Sequence, residues 1–193
     1  VTAIVTLACA ATASADITGA VFVTYPVITE DFGGASVSVI VRDLYLLSDD
    51  PKDTNLNVYN FDIVEAGKVV YFQSATGTGW LPNNLGDIFD TPALRRADSF
   101  VTIGGFEQGL ERMPPQVEGA GAGTGLDPNF GGNNAPYPGD LAGWYNGSPP
   151  SLNGQVGETV VGLACLVGRF AYAGDFTLED STLFVTWNQG LGT

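Results

Sequence analysis

Apolar and polar residues alternate with a period of two along most of this chain, and this alternation limits the fold more than any other feature. In residues 16–29, one set of alternate positions carries the apolar side chains Ile17, Val21, Val23, Tyr25 and Val27. Because successive side chains of an extended chain point to opposite faces, this pattern predicts a strand with one buried face. Pro26 lies on the other face and predicts a sheet edge or a strand end.

The same pattern predicts strands at residues 35–47, 56–63, 67–73, 99–103, 160–172, 176–178 and 182–187. Within 35–47 the apolar set changes phase between Val41 and Leu44, as at a β-bulge or where a strand changes sheets. Residues 160–167 are apolar on both faces, as in a central strand. Residues 92–97 are the best helical candidate, with one or two turns. The chain is therefore predicted to be all-β, an antiparallel β-sandwich or jelly roll.

Length and composition predict a single β-sandwich domain at residues 16–193, preceded by an apolar, leader-like segment at 1–15. The 193 residues suffice for one sizeable core, and 26 glycines and 11 prolines predict many turns. Residues 104–158 are rich in glycine, proline and asparagine and predict a long loop. A loop of this length in a compact domain usually has a function.

Residues 1–15 can be interpreted in two ways. Ala13-Ser14-Ala15 matches the small-residue cleavage site of a secretory leader. If the segment is retained, its apolar residues need burial, and an extended β-branched segment can add a strand to the sheet of a neighbouring copy. Head-to-tail repetition of that contact gives a filament, and a helical bundle of these segments is the rival geometry. The assembly residues predicted on this basis are Val1, Ile4, Val5, Leu7 and Cys9.

The two cysteines, Cys9 and Cys165, also depend on the fate of this segment. If residues 1–15 are removed, Cys165 is a lone thiol in an apolar run and is expected to be an inert core residue. If they are retained in an oxidising compartment, a Cys9–Cys165 disulfide can form. Such a bond would tie the N-terminal segment to a core strand, within one subunit or between two.

Charge and residue types exclude several classes of function. The net charge of −14, from 21 acidic and 7 basic residues, would repel nucleic-acid phosphates and anionic lipid, so neither is expected as a partner. No apolar run is long enough to span a membrane. The chain has no histidine, which removes Ser-His-Asp and Cys-His catalysis. Carboxylate pairs suit a hydrolase, but no pair stands out by spacing, so we expect a protein that is not an enzyme.

An acidic stretch at residues 49–57 is the candidate metal site. Asp49, Asp53, Asn55 and Asn57 supply several oxygens from one short segment, which is what calcium requires. The alternative is a solvated turn between strands, held by hydrogen bonds from Asx side chains to the backbone. We expect no resident cofactor, and calcium is the only candidate ion.

Three aromatic residues, Trp80, Trp144 and Tyr145, form the candidate glycan site. Flat rings can stack on the faces of sugars, so these side chains could form a binding platform. Their alternative role is to anchor the loops that carry them onto the sandwich.

Three stretches resemble a group of secreted bacterial proteins, best represented in planctomycetes, that carry a PEP-CTERM sorting tail. They are RDLYLLSDDPKDTNLNVYNFDI (42–63), DSFVTIGG (98–105) and WYNGSPPSLNGQVG (144–157), and the alanine-rich leader ending in TASAD also fits. The likeness is to the β-sandwich ectodomain of such proteins, without the C-terminal anchor. It implies an exported domain, associated with the cell surface or matrix, and it supplies no catalytic residues.

The function expected from the sequence is that of an extracellular, non-enzymatic structural protein. It would self-assemble into a filament, sheath or surface layer, with a second copy of itself as the partner. The alternative is a carbohydrate- or calcium-dependent adhesive module of the cell surface, with surface glycans as the partner.

Overall fold

The protein is described by a computed structural model that covers residues 3–5, 16–30, 36–62, 79–81, 97–104, 123–132, 139–147, 149, 154–172 and 181–189. The strands predicted at 67–73 and 176–178 lie outside these residues, and so does all but Ala97 of the helix predicted at 92–97. The described residues include no helix with the length and apolar character needed to cross a membrane.

Ten antiparallel strands in two sheets and one 3-10 turn, Pro128–Phe130, make up the regular structure of the described residues, as expected of an all-β sandwich. In chain order they are β1 (Ala3–Val5), β2 (Ile17–Glu30), β3 (Ser36–Ser48), β4 (Thr54–Asp62), β5 (Phe100–Val101), β6 (Thr124–Leu126), β7 (Trp144–Asn146), β8 (Gly157–Thr159), β9 (Gly162–Tyr172) and β10 (Thr182–Asn188). Strands β6 and β7, and the start of β8, lie in the stretch 104–158 that the sequence predicts as a long loop.

The larger sheet has six strands in the order β1-β2-β3-β9-β5, with β8 also paired to β9. Strand β9 has partners on both sides and is buried from Ala164 to Tyr172, which confirms the predicted central strand. Strand β2 pairs with β3 over its whole length, whereas β1 reaches only Ala20–Phe22 on its other side. Pro26 therefore lies beyond β1, on an edge to which no other described strand is paired, as its missing N–H predicts.

The change of phase predicted within β3 has a different origin in the structure. Val41 and Tyr45 are buried on one face of the strand and Leu44 and Leu46 on the other, so both faces of this part of β3 are covered. The bulge lies on the partner strand, because Leu44 pairs with Gly168 while Tyr45 pairs with Leu166. The extra residue is Val167, and β3 itself keeps its alternation.

The smaller sheet has four strands in the order β10-β4-β7-β6. Its strand β4 carries a bulge near Asn60, which has a φ of 49°, in the left-handed region that asparagine tolerates better than most residues. Because of this extra residue, Val58 and Phe61 are both fully buried although they are three positions apart. Tyr59, between them, belongs to the outer face.

The main core lies between the two sheets. Phe61 of the smaller sheet meets the Trp144 ring at 5.9 Å and the Phe170 ring of the larger sheet at 5.3 Å, both edge to face. Phe22, Leu44 and Leu46 complete the contact from the larger sheet. Full burial of each such side chain contributes roughly 1.5–3 kcal/mol, so this layer is the main source of stability.

Candidate functional site

The outer face of the four-stranded sheet carries exposed rings interleaved with polar groups. Pairing across β10 and β4 sets Phe184 opposite Tyr59 and Thr186 opposite Asn57, and pairing with β7 sets Tyr145 opposite Asn57. Directly paired residues share a face of the sheet, so these side chains form one surface. Together with the carboxylate of Asp127, we call this set the aromatic face: Asn57, Tyr59, Asp127, Tyr145, Phe184 and Thr186.

The rings of the aromatic face are accessible to a ligand. Phe184 is 55% exposed and Tyr145 is 45% exposed, unusually high values for large aromatic side chains. The rings of Tyr59 and Phe184 stack with their centroids 5.5 Å apart and their planes at 24°. This contact holds Phe184 in place while leaving more than half of its surface in solvent.

Two glycines allow other members of the face to lie close to the sheet. A Cβ atom on Gly125 would lie 2.7 Å from the Tyr145 hydroxyl oxygen, so the ring of Tyr145 extends over the backbone of β6. A Cβ atom on Gly143 would lie 2.6 Å from Asp127 Oδ2, so this carboxylate lies over the backbone just before β7 in the same way. Residues with a side chain at these two positions would displace the ring and the carboxylate.

Hydrogen bonds orient the polar groups of the face and leave several of their atoms unpaired. The Thr186 hydroxyl donates to Asn57 Oδ1 at 2.7 Å, and the Phe130 backbone N–H donates to Asp127 Oδ1 at 3.0 Å. Within the described part of the chain, Asn57 Nδ2, Asp127 Oδ2 and the hydroxyls of Tyr59 and Tyr145 make no hydrogen bond. One amide donor, one carboxylate acceptor and two hydroxyls are thus available beside the rings.

The N-terminal assembly residues are only partly described. Ile4 and Val5 lie in β1, where they pair with Val21 and Ala20 of the same chain. The structure shows this pairing within one chain, and the predicted pairing between copies stays a prediction. Val1, Leu7 and Cys9 lie outside the described residues.

The four predicted calcium ligands are not brought to one point. Asp49 is exposed and accepts from the backbone N–H of Asp16, whereas Asp53 is buried and accepts from the Ser48 hydroxyl at 2.8 Å. Asn55 is fully buried beside Cys165, while Asn57 belongs to the aromatic face.

The turn before β4 is stabilised as the alternative interpretation predicts. Asp50 Oδ1 accepts from the backbone N–H of Lys52, and the Ser48 hydroxyl accepts from that of Asp50. No group of three or more acidic, cysteine or histidine side chains suited to a metal occurs among the residues that the structure describes.

Trp80 and Trp144 do not present rings to solvent, so their predicted stacking role is wrong. Both are buried in the core, where Trp80 contacts the ring of Phe130 at 5.7 Å and Trp144 Nε1 donates to the Thr102 carbonyl at 3.0 Å. They anchor their segments, which was the alternative, and Tyr145 alone of the three is exposed.

Four members of the face, Tyr59, Asp127, Phe184 and Thr186, are not among the predicted site residues. For the two rings, Tyr59 and Phe184, the only sequence signal is alternation. Val58 and Leu183 point inward, which turns their aromatic neighbours outward.

Cys165 is a buried free thiol that faces the core. Burial raises its pKa to about 11, against a smaller opposing effect of the Asn55 side chain. The thiol is therefore protonated and unreactive near neutral pH. The disulfide with Cys9 is not formed here and stays a prediction, because Cys9 lies outside the described residues.

A buried ion pair lies on the opposite face of the larger sheet. Arg169 Nε and Nη2 donate to the two carboxylate oxygens of Asp43 at 2.6 and 3.0 Å, and the Tyr25 hydroxyl donates to the same carboxylate at 3.2 Å. The Arg169 guanidinium also lies 5.2 Å from the centroid of the Phe100 ring. Burial by itself lowers the pKa of Arg169, but the charge and hydrogen bonds of Asp43, together with the effects of Tyr25 and Tyr45, more than offset it and raise the pKa. This group links the four strands β2, β3, β5 and β9, and it is enclosed rather than open to a substrate.

Comparison of the chain with protein families, with curated proteins and with solved structures found no match. The function is therefore argued from the residues of this chain and their geometry.

Proposed function

We propose that this protein is a non-enzymatic extracellular structural protein whose copies join through the N-terminal strand. The observation that supports it is the pairing of β1 with the edge of the six-stranded sheet, with Ala3, Ile4 and Val5 opposite Phe22, Val21 and Ala20. In the proposed assembly this pairing is exchanged, so that β1 of one copy occupies the β2 edge of the next. Head-to-tail exchange gives a filament when the rotation between successive copies does not close into a ring.

The β2 edge is suited to such an exchange. Strand β2 has 14 residues, and β1 pairs with only three of them. Strand β1 would make the same backbone hydrogen bonds to its own β2 and to the β2 of another copy. The balance between these two states therefore depends mainly on the conformation of the connecting residues and on the protein concentration. Apolar side chains of the segment would add roughly 1.5–3 kcal/mol for each one that becomes fully buried.

The titratable groups of the described residues support a structural role. Tyr45, Cys165 and Arg169 each have a clearly shifted pKa, and the side chains of all three are buried. A catalytic group with a shifted pKa would normally face a cleft that admits a substrate.

Deletion of residues 1–15 from a protein that begins at Val1 tests the proposal. We expect the full chain to form polymers in electron micrographs and sedimentation velocity, and the truncated chain to sediment as a monomer. Ile4→Pro should also abolish assembly because proline is poorly tolerated within a paired strand, whereas Ile4→Val should retain it. The proposal fails if the truncated chain still polymerises, or if N-terminal sequencing of the exported protein starts at Asp16.

The alternative function, an adhesive module of the cell surface, could depend on calcium or on carbohydrate, and the geometry favours carbohydrate. The calcium mode relies on four residues that the fold distributes between the outer face, the interior and the solvent. The carbohydrate mode has an exposed surface of suitable composition, but a different one from the platform that the sequence predicted.

A further inference from the structure

We propose that the aromatic face binds a neutral polysaccharide, with sugar rings stacked on Phe184 and Tyr145. This binding site is separate from the β2 edge, because it belongs to the other sheet of the sandwich. It adds a ligand to the proposed assembly and does not depend on it.

The surface combines the two kinds of contact that a sugar makes. A pyranose ring has faces of C–H groups that pack on aromatic rings, and a rim of hydroxyls that both donate and accept hydrogen bonds. The aromatic face has exposed rings at Phe184 and Tyr145. Beside them, Asn57 Nδ2 can donate to a sugar hydroxyl and Asp127 Oδ2 can accept from one.

The positions of the rings fit a chain of linked sugars better than a single one. Tyr145 lies directly opposite Asn57, and Tyr59 is two residues farther along β4. Such diagonal neighbours in a sheet are roughly 7–8 Å apart. With Phe184 stacked on the far side of Tyr59, the face extends across three strands, so consecutive sugar units of one chain can contact both ends of it.

The unpaired polar atoms distinguish a sugar from an apolar protein surface. An apolar partner that covered the face would bury Asn57 Nδ2, Asp127 Oδ2 and two tyrosine hydroxyls without partners, which opposes binding. Sugar hydroxyls can satisfy all four. The ligand is neutral because the carboxylate of Asp127 and the net charge of −14 repel an anionic chain.

Affinity electrophoresis and calorimetry of the full chain with soluble β-glucan, xylan and mannan test this proposal, with alginate as the anionic polymer. We expect at least one neutral polysaccharide to bind, and Tyr145→Ala and Phe184→Ala each to weaken binding about tenfold. Tyr145→Phe keeps the ring and should lose less. Val160→Ala is the matched control, because Val160 is 48% exposed in the turn between β8 and β9 of the other sheet.

Each variant is first checked for an unchanged melting temperature and sedimentation coefficient, so that loss of binding is not loss of folding. The proposal is overturned if none of the neutral polymers binds, if alginate binds as tightly as they do, or if Val160→Ala weakens binding equally. It is also overturned if the aromatic variants change only the oligomeric state, which would make the face a protein interface. Retention of glycan binding in the protein without residues 1–15 separates this result from the test of assembly.

Discussion

Removal of one partner from the buried Asp43–Arg169 pair should destabilise the protein strongly, while removal of both should not. The Asp43→Ala variant leaves the Arg169 guanidinium, which is 2% exposed, without the carboxylate that accepts two of its hydrogen bonds. An unpaired charge in such a position costs about 3–5 kcal/mol. For a chain of this length, that corresponds to a fall of roughly 10 °C in melting temperature.

The double variant Asp43→Leu with Arg169→Met measures how much of this cost comes from the unpaired charge. Apolar side chains of similar size often replace a buried pair with little loss, so we expect the double variant to lie within about 1 kcal/mol of the parent. Asp140→Asn, at an exposed position, is the control and should change stability by less than about 0.5 kcal/mol.

Urea unfolding at pH 7, followed by tryptophan fluorescence, gives the free energies of unfolding for the parent, for the single variants Asp43→Leu and Arg169→Met, and for the double variant, with Asp43→Ala measured in the same way. The coupling energy from this cycle should be several kcal/mol, because the two residues are in direct contact. The reasoning is refuted if Asp43→Ala costs less than about 1 kcal/mol, or if the losses of the single variants simply add in the double variant.

Two further predictions follow from other buried or crowded positions. The pKa of the Cys165 thiol is about 11 in the folded protein and 9.0 when unperturbed, so the unfolded state loses this proton first as the pH rises. The contribution of Cys165 to the free energy of unfolding should therefore be constant below pH 9 and fall as the pH rises toward 11. The free energy of unfolding, measured by urea unfolding at a series of pH values, should fall by about 2–3 kcal/mol over this range, and by less in Cys165→Ala. An equal fall in that variant would show that Cys165 is not its cause. Gly125→Ala should displace the Tyr145 ring and lower the melting temperature. Gly157→Ala is the control and should leave the melting temperature unchanged, because a Cβ atom added there meets no atom within 4 Å. Equal melting temperatures for the two variants would show that the close contact at Gly125 does not affect stability.

The long strands could be recognised from the sequence because their signal is local. The strand predicted at 16–29 corresponds to β2, the one at 35–47 to β3, and the one at 182–187 to β10. Alternation repeats several times within each of them, so their ends are recovered to within a residue or two.

The short strands β6 and β7 could not be recognised in this way. Three residues contain too little alternation to be distinguished from a loop, and these strands exist because β4 offers an edge for β7 and β7 one for β6. The Asp43–Arg169 pair was missed for a related reason. Arg169 lies 126 positions from its partner, and only the pairing of β3 with β9 brings the two together.

Local patterning is enough to establish that this chain forms extended strands and that each strand has two chemically different faces, because side chains alternate wherever the backbone is extended. It did not determine which face is buried, since burial depends on what packs against a strand from elsewhere in the chain. Trp144 and Tyr145 are adjacent aromatic residues and both were candidates for the same platform. Packing of the two sheets buries Trp144 in the core and leaves Tyr145 in solvent, so the ring that can meet a ligand is selected by long-range packing and not by the local sequence.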